Sequence, residues 1–244
     1  MKIEQIIGLF KMKGIFTFGI ILLLTSCLSA TEKKPLYSDP EFKDCMNVYS
    51  DGHYEIKEGV VHLTSKRNFF FPTKKRYADF ILEYEVKMPD VKEYSNSGLI
   101  FRGQIKEDKK GKSVIGYQAE VDPSDRGWSG GLYDQGRRGW LYPKHAKRSN
   151  PDDDFKGSQL TEWSEEKKRV YKHLEWNKYR IECRGSDIKI FLNGMLMTHV
   201  IDTKDAEGHI AIQHHGSKDF AKNGKTKNVV QFRNIVIQEL EPAK

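Results

Sequence analysis

Three polar side chains alternate with apolar ones in a segment that could carry acid–base chemistry. In residues 116–122, Gln118, Glu120 and Asp122 have one parity, so a strand would present all three on one face. Residues two apart on a strand lie about 7 Å apart, close enough for like charges to raise the pKa of one carboxyl and lower that of the other. Such a pair can supply a general acid and an ionised partner. The alternative is an ordinary solvent-facing strand surface.

A second segment places histidines at alternate positions. His209, Gln213 and His215 share one parity, and His214 has the other. Histidine titrates near neutrality and can serve as an acid, a base or a metal ligand. The metal signal is weak because the sequence fixes no third ligand. His214 is expected to be partly buried, with a hydrogen-bonded role in the core.

Arg102 has opposite parity to Leu99 and Phe101, which places it on the expected polar face. A guanidinium group there could bind a carboxylate or hydroxyl groups, or pair with Glu120.

Glycines and aromatic residues follow the carboxylate segment, among them Trp128, Tyr133 and Trp140. Aromatic faces stack on the apolar faces of sugars, although these rings could instead pack as a satellite core.

Most of the chain has the period-two pattern of β-strands. Phe80–Lys87 alternates throughout, and Asn193–Gly194 predicts a type I′ hairpin turn. Residues 161–173 are the one predicted helix, within a long insertion. Many strands with little helix predict an all-β antiparallel sandwich of the jelly-roll type with one inserted short helix. The other predicted strands cover residues 60–63, 98–102, 116–121, 179–183, 188–192, 195–200, 209–214 and 229–240.

The composition excludes several classes of protein. With 38% hydrophobic residues and 31% charged residues, the chain is too apolar for a disordered protein and too polar for a multi-spanning membrane protein. The net charge of +7 is spread among interleaved acidic residues, without a nucleic-acid-binding motif, so no nucleic-acid partner is expected. The basic stretches 106–112 and 144–148 are expected to be solvated loops. Three cysteines exclude a disulfide-dense scaffold, although a Cys45–Cys183 bridge stays open.

The N-terminal residues have the pattern of a secretory signal, because lysines precede a short apolar run that ends in small residues. Residues 24–27 resemble a bacterial lipobox, so Cys27 is the expected lipidation site; an ordinary cleaved signal is the alternative. We therefore expect a signal peptide (1–26), a lipid-anchor linker (27–38) and one folded domain (39–244). The protein would be exported and held at a membrane, at the periplasmic or outer-membrane surface.

Seven short motifs in a fixed order resemble the 3-keto-disaccharide hydrolase domain family, over roughly residues 45–240. They lie at residues 96–102, 116–122, 131–133, 175–181, 191–194, 208–216 and 232–235. The resemblance implies a concanavalin-like jelly roll and activity on oxidised glycosides, often in bacterial lipoproteins. The chain departs from the family at His214, where an acidic residue is common, and in the charged segment 155–174.

The implied chemistry is β-elimination from a 3-keto-glycoside followed by hydration. Glu120 or a groove histidine would act as the base at C2, and Arg102, with or without a bound divalent cation, would stabilise the enolate. Asp122 and His215 would position substrate or complete proton transfer. The expected substrate-binding residues are Asn96, Gln118, Trp128, Tyr133, His209 and Gln213.

Three alternatives stay open. The domain could be a non-catalytic carbohydrate-binding module or a structural surface lipoprotein. It could also be a conventional glycoside hydrolase, since the fold also resembles that of laminarinase-like glucanases. Those enzymes carry Glu-x-Asp-x-Glu on one strand, whereas this chain has Gln118, Glu120 and Asp122, which disfavours a retaining double displacement.

Overall fold

The computed structural model describes residues 32–109 and 111–241. The predicted signal peptide and Cys27 lie outside the described residues. The strands are β1 Lys34–Pro35, β2 Gly52–Lys57, β3 Val60–Ser65, β4 Phe69–Tyr77, β5 Phe80–Lys87, β6 Ser97–Asp108, β7 Gly111–Val121, β8 Leu132–Gln135, β9 Gly139–Tyr142, β10 Phe155–Lys156, β11 Asn177–Arg184, β12 Asp187–Leu192, β13 Met195–Asp202, β14 Gly208–His214 and β15 Val230–Glu239. The helices are α1 Glu165–Lys168 and α2 Lys218–Asn223.

Two antiparallel sheets form the sandwich. The larger has the order β10-β13-β12-β11-β5-β15-β3-β2, with β1 also paired to β15. The smaller has the order β4-β14-β6-β7-β8-β9. This architecture confirms the predicted jelly roll.

Strand alternation builds the core between the sheets. On β5, Phe80, Leu82, Tyr84 and Val86 are buried, and the residues between them are partly exposed. Buried residues from both sheets join one large apolar cluster. Burial of apolar side chains at alternate positions is the dominant force that holds the two layers together.

The outer face of the smaller sheet carries a second, separate apolar cluster. Phe70, Ile100, Val114 and Ala211 are buried there, and Tyr49 packs against them. This cluster occupies one part of the face, and the rest of the face is polar.

The predicted hairpin is confirmed. Asn193 (φ 47°) and Gly194 (φ 89°) join β12 to β13, and Leu192 pairs directly with Met195. Both central residues have positive φ, as a type I′ turn requires.

The helix predicted over residues 161–173 is much shorter. Ser164 caps the N-terminus of α1 by accepting a hydrogen bond from Lys167, so the helix begins at Glu165 and ends at Lys168. Its flanking residues are held by tertiary contacts instead: Trp163 donates to the carbonyl of Gly127 at 3.0 Å. The helix α2 has no counterpart in the sequence-based prediction.

The predicted linker extends too far along the chain. Lys34 and Pro35 pair with β15, and the Tyr37 hydroxyl donates to the carbonyls of Phe71 and Ile210 at 2.6 and 2.9 Å. Residues 34–38 are therefore part of the folded domain.

The two cysteines that the structure describes, Cys45 and Cys183, are buried and unpaired. Burial raises the pKa of each thiol to about 12, so both behave as small apolar residues.

Among residues 32–109 and 111–241, no helix is long and apolar enough to cross a bilayer.

Candidate active site

A small polar pocket of about 110 Å³ lies on the outer face of the smaller sheet. Its lining comes from β7, β8, β9 and β14 and from the loops between strands. The lining residues are Tyr94, Asn96, Gln118, Glu120, Arg126, Tyr133, Gln135, Trp140, Arg148, Gln213 and His215.

Glu120 is a buried carboxyl group within this pocket. Burial raises its pKa to about 7, and the like charge of Asp122 acts in the same direction. A hydrogen bond from Asn96 and the positive charges of Arg126 and Arg148 partly oppose this rise. A carboxyl group with a pKa near neutrality can take and return a proton at physiological pH.

Side-chain amides hold both oxygens of the Glu120 carboxylate. Asn96 Nδ2 donates to Oε1 at 2.8 Å, and Gln118 Nε2 donates to Oε2 at 3.0 Å. Gln118 Nε2 also donates to Gln213 Oε1 at 2.9 Å, and Gln213 Nε2 donates to Asn68 Oδ1 at 2.8 Å. We call Asn96, Gln118, Gln213 and Asn68 the amide chain. It fixes the orientation of Glu120 and crosses the sheet from β7 over β6 to β14 and on to the residue before β4.

Gly98 on β6 makes the amide chain possible. Strand β6 lies between β7 and β14, so the Gln118 side chain must pass over β6 to reach Gln213. A Cβ at position 98 would lie 2.4 Å from Gln118 Nε2. The absence of a side chain at Gly98 therefore leaves the space that Gln118 occupies.

Tyr94 and His215 form the rim of the pocket. Their rings pack edge to face at a centroid distance of 5.2 Å, and the His215 amide donates to the carbonyl of Asn96 at 3.3 Å. Partial desolvation lowers the pKa of His215, which favours the neutral imidazole.

Glu93 ties the two rim segments together. Its carboxylate accepts hydrogen bonds from the Ser217 hydroxyl at 2.6 Å and from the Lys218 amide at 2.8 Å. Glu93 directly precedes Tyr94, and Ser217 and Lys218 follow His215, so these hydrogen bonds hold the rim in place.

An aromatic and cationic wall faces the amide chain. Trp140 packs edge to face against Trp128 and Tyr133, at centroid distances of 4.6 and 5.2 Å. The Arg126 guanidinium lies 5.0 Å from the Trp128 ring and 5.4 Å from the Trp140 ring. Trp140 is buried, and its indole N–H has no hydrogen-bond partner among the described residues.

Arg148 lies in the basic stretch 144–148 that we expected to be a solvated loop. Its carbonyl accepts a hydrogen bond from the Trp140 amide at 2.8 Å, which brings the residue to the pocket. Its side chain makes no ion pair with any described residue. Arg148 is therefore a cation that a ligand can reach.

Seven of the residues that the sequence analysis named line the pocket: Asn96, Gln118, Glu120, Tyr133, Trp140, Gln213 and His215. Two others lie behind its wall. The Asp122 carboxylate is fully buried and binds Arg126 at 2.9 Å, and Trp128 supports Trp140 and Arg126. Asp122 thus affects the pocket in two ways. Its charge contributes to the raised pKa of Glu120, and its ion pair holds Arg126 in place.

Arg102 is not at the pocket, contrary to expectation. A β-bulge shifts the register between Phe101 and Gln104, and Arg102 itself has φ 48°. The bulge breaks the alternation on which the prediction depended. The Arg102 guanidinium is fully buried and donates to the carbonyls of Ala78 and Gly185, so its role is structural.

His209 is also away from the pocket. It lies four residues before Gln213 on β14, about 13 Å along a strand, and the apolar residue Ala211 stands between them. The His209 Nδ1 atom is 2.8 Å from the carbonyl of Thr73.

His214 has the hydrogen-bonded core position that its parity predicts. Its Nε2 lies 3.0 Å from the carbonyl of Asn228, and its Nδ1 accepts from the Gly216 amide at 3.0 Å. These partners fix the neutral tautomer with the proton on Nε2. Burial lowers its pKa to about 4.

Several pocket residues were not selected from the sequence: Tyr94, Arg126, Gln135 and Arg148, with Asn68 behind them. All except Gln135 lie in loops or next to strand ends, where period-two alternation carries no information. For Arg126 the sequence offered one signal, which was the opposite charge of Asp122 four residues before it.

No three His, Cys, Asp or Glu side chains are grouped to hold a metal ion in the part of the chain that the structure describes. The positive charge at the pocket comes from Arg126 and Arg148.

The antiparallel sandwich, with a polar and aromatic pocket on one outer face, defines a jelly-roll domain of the concanavalin-like class. The chain belongs to the 3-keto-alpha-glucoside-1,2-lyase-like domain family, whose model matches residues 33–238. Membership indicates a glycosyl hydrolase-like or carbohydrate-binding function.

Solved structures share this fold at low sequence identity. A protein from Parabacteroides distasonis assigned as a glycosyl hydrolase is 17% identical, with a TM-score of 0.55 over 90% of this chain and 99% of that chain. The carbohydrate-binding module CBM66 from Bacillus subtilis is 15% identical, with a TM-score of 0.50 over 80% of this chain and 96% of that chain. A Bacillus subtilis protein with a galectin-like fold is 12% identical, with a TM-score of 0.54 over 87% of this chain and 96% of that chain. No curated protein sequence matches this chain.

Proposed function

We propose that the pocket cleaves glycosides that carry a ketone at C3, by β-elimination followed by hydration. The observation that carries the proposal is Glu120, a buried carboxyl group in the pocket whose pKa is raised to about 7. The family to which the chain belongs supports the choice of substrate class.

The ketone makes the hydrogen at C2 acidic, and Glu120 removes it. The electron pair of the C2–H bond forms an enolate with its charge on the C3 oxygen. The enolate then collapses to a C1–C2 double bond, the C1–O bond breaks, and the aglycone leaves as an alcohol after it takes up a proton. Water adds to C1 and a proton returns to C2, which gives the free 3-keto sugar.

Arg126 and Arg148 take the role that the sequence analysis gave to Arg102. Both line the pocket, and positive charge placed where negative charge develops stabilises the transition state. Arg126 is held by Asp122 and by two indole rings, so it is preorganised. Arg148 is the more adaptable of the two because it makes no ion pair with a described residue.

The rim supplies groups for the leaving oxygen. His215 is largely neutral near pH 7, because its pKa is lowered, and it can relay a proton. Tyr94 is protonated near neutral pH, and partial desolvation raises its pKa further, so its hydroxyl can donate a hydrogen bond to the departing oxygen.

The test is a product assay with a panel of 3-keto-glucosides, run with and without a chelator. We expect release of 3-keto-glucose from the oxidised substrates and none from the parent glucosides. Glu120→Gln should abolish turnover, whereas Glu55→Gln, on β2 in the other sheet, should not. Turnover near the wild-type rate in Glu120→Gln would remove this residue from the mechanism, and loss of activity with the chelator would add a cation to it.

A binding module is the second candidate, because four side-chain amides and three tyrosine or tryptophan rings line a pocket that has Glu120 as its one lining carboxylate. Such walls suit the recognition of sugar hydroxyl groups. Saturable binding of a sugar without any product in the same assay would favour this reading.

We also propose that the domain is exported and anchored by a lipid on Cys27. The support is the sequence pattern of residues 1–27 together with the position of β1, which begins seven residues later. Incorporation of a labelled fatty acid into the wild-type protein but not into Cys27→Ser would support the anchor. Equal labelling of both would contradict it.

A further inference from the structure

Gln118 has a buried acceptor atom that no group of the protein satisfies. Its side chain lines the pocket and is 2% exposed, and its Nε2 group donates to both Glu120 and Gln213. Its Oε1 atom has no hydrogen-bond partner among the described residues. An unsatisfied buried acceptor costs free energy, so a ligand that donates a hydrogen bond to it gains binding free energy.

The orientation of the Gln118 amide is determined by its neighbours. In the ionised state in which it acts as the base, the Glu120 carboxylate only accepts hydrogen bonds, so Gln118 must turn its Nε2 group towards it. Gln213 donates its own Nε2 to Asn68, which leaves its Oε1 to accept from Gln118. A flipped Gln118 amide would place an oxygen against the Glu120 carboxylate. The unsatisfied atom is therefore an oxygen, and it requires a donor.

This acceptor lies close to the proposed base. Gln118 Nε2 is 3.0 Å from Glu120 Oε2, and Oε1 is bonded to the same carbon as Nε2. By standard covalent geometry the free oxygen lies within about 5.6 Å of the carboxylate oxygen. A group that reaches Oε1 while Glu120 attacks C2 must be on C2 or beside it.

We propose that Gln118 Oε1 accepts a hydrogen bond from the 2-hydroxyl group of the substrate, so that the pocket selects 3-keto-glycosides with a free hydroxyl on the carbon that loses its proton. The inference rests on the proposed function, because that function places C2 next to Glu120. The unsatisfied indole N–H of Trp140 is a second sign that the pocket is built for a polar ligand.

The chemistry separates recognition from reactivity. Elimination needs a hydrogen on C2 and a leaving group on C1, and it does not need the 2-hydroxyl group. A 2-deoxy-3-keto-glucoside keeps both requirements. A preference of the protein for the 2-hydroxy substrate that exceeds the ratio of the two base-catalysed rates in solution therefore reports a contact with the hydroxyl group.

The experiment compares kcat/KM for a 3-keto-glucoside and its 2-deoxy analogue. For the wild-type protein we expect a ratio of at least about 100, since sites built to bind a hydroxyl group strongly reject analogues that lack it. In Gln118→Met the ratio should fall to within about threefold of unity, whereas Gln135→Met, at another pocket amide, should keep the wild-type ratio. A wild-type ratio near unity, or an unchanged ratio in Gln118→Met, would overturn the inference. The wild-type comparison alone remains decisive if Gln118→Met does not fold.

A binding measurement distinguishes this inference from the proposed function. If the protein turns over neither substrate, calorimetry with methyl glucoside and methyl 2-deoxyglucoside tests recognition alone. Tighter binding of the 2-hydroxy sugar, lost in Gln118→Met, would support the contact although the elimination had failed. Equal binding, or binding of neither sugar, would overturn it.

Discussion

Asn96 Nδ2 lies 2.8 Å from Glu120 Oε1, and the same asparagine accepts the backbone amide of His215 through its carbonyl oxygen. One residue thus joins the proposed base to the rim of the pocket. The side-chain contact stabilises the ionised form of Glu120 and opposes the effect of burial on its pKa.

Asn96→Ala should raise the pKa of Glu120 further, because the carboxylate loses a donor. An increase of one unit above 7 would lower the ionised fraction at pH 7 roughly fivefold, from about one half to about one tenth, so activity should fall at pH 7 and recover at higher pH. The pH dependence of kcat/KM measures this shift. Asn234→Ala removes a similar contact, to Glu85 at 3.1 Å in the other sheet, and should leave the profile unchanged. An unshifted profile in Asn96→Ala would contradict the assignment.

Glu120 should make the protein less stable as the pH rises. Its pKa is about 7 in the folded chain against an ordinary value of 4.5, so the folded state binds more protons between these values. The free energy of unfolding should therefore fall across that window and level off above it. Relative to wild type, Glu120→Gln should gain stability from pH 5 to pH 8, by at most about 3 kcal/mol. Denaturant unfolding at several pH values measures the difference, and a constant difference would refute the raised pKa.

Gly98→Ala should disrupt the amide chain. The new Cβ would lie 2.4 Å from Gln118 Nε2 and 2.9 Å from the carbonyl of Ala119, so Gln118 must move. We expect a stability loss of about 1–3 kcal/mol and a marked loss of sugar binding or turnover. Gly103→Ala is the matched control, because its Cβ would crowd Ile100 at 2.7 Å and leave the amide chain intact. Gly103→Ala should therefore lose stability but keep sugar binding and turnover. Similar function in both variants would argue against a role for the amide chain.

Arg148→Met should reduce turnover and leave stability within about 0.5 kcal/mol of wild type, because Arg148 is exposed and makes no ion pair with a described residue. Removal of one group that stabilises an oxyanion costs about 10²- to 10³-fold in rate, and we expect a loss near the lower end for kcat on a 3-keto-glucoside. Arg148→Lys should recover part of the rate, and Lys147→Met should behave as wild type. Wild-type kcat in Arg148→Met would exclude this residue from enolate stabilisation.

Arg102→Met should lower stability and leave turnover unchanged, which is the reverse of the effects expected for Arg148→Met. The buried guanidinium donates to Ala78, Gly185 and Asp205, and loss of a buried, hydrogen-bonded charge costs about 3–5 kcal/mol. The protein that remains folded should keep the wild-type kcat/KM, measured below the unfolding transition. A selective loss of kcat without loss of stability would instead show that Arg102 takes part in catalysis, as the sequence analysis expected.

The fold could be predicted because its dominant signal is local. Alternation on β5 and the Asn193–Gly194 turn each determine the structure of a few consecutive residues. Strand β4 was missed because the run Phe69–Phe71 does not alternate and Pro72 follows it. The structure places β4 at the edge of its sheet, where proline is tolerated.

The site could be predicted only in part, for a physical reason. Parity correctly grouped Gln118 and Glu120, and Gln213 on another strand, on one outer face. Parity fails at bulges, which misplaced Arg102, and it does not measure distance along a strand, which misplaced His209. Arg126 and Arg148 reach the pocket through loop conformations that depend on tertiary contacts such as the pairing of Arg148 with Trp140.

The apolar cluster on the outer face of the smaller sheet also bears on how a polymer could be attacked. Phe70, Ile100 and Ala211, with Tyr49 packed on them, cover part of the face beside the pocket, where Phe70 pairs with Gln213 and Ile100 pairs with Gln118. A long polysaccharide that ran along this face from the pocket would meet this cluster, whereas a chain terminus or a short glycoside would not need to. On a polymeric substrate we therefore expect trimming from the ends, with a nearly constant solution viscosity while monosaccharide accumulates.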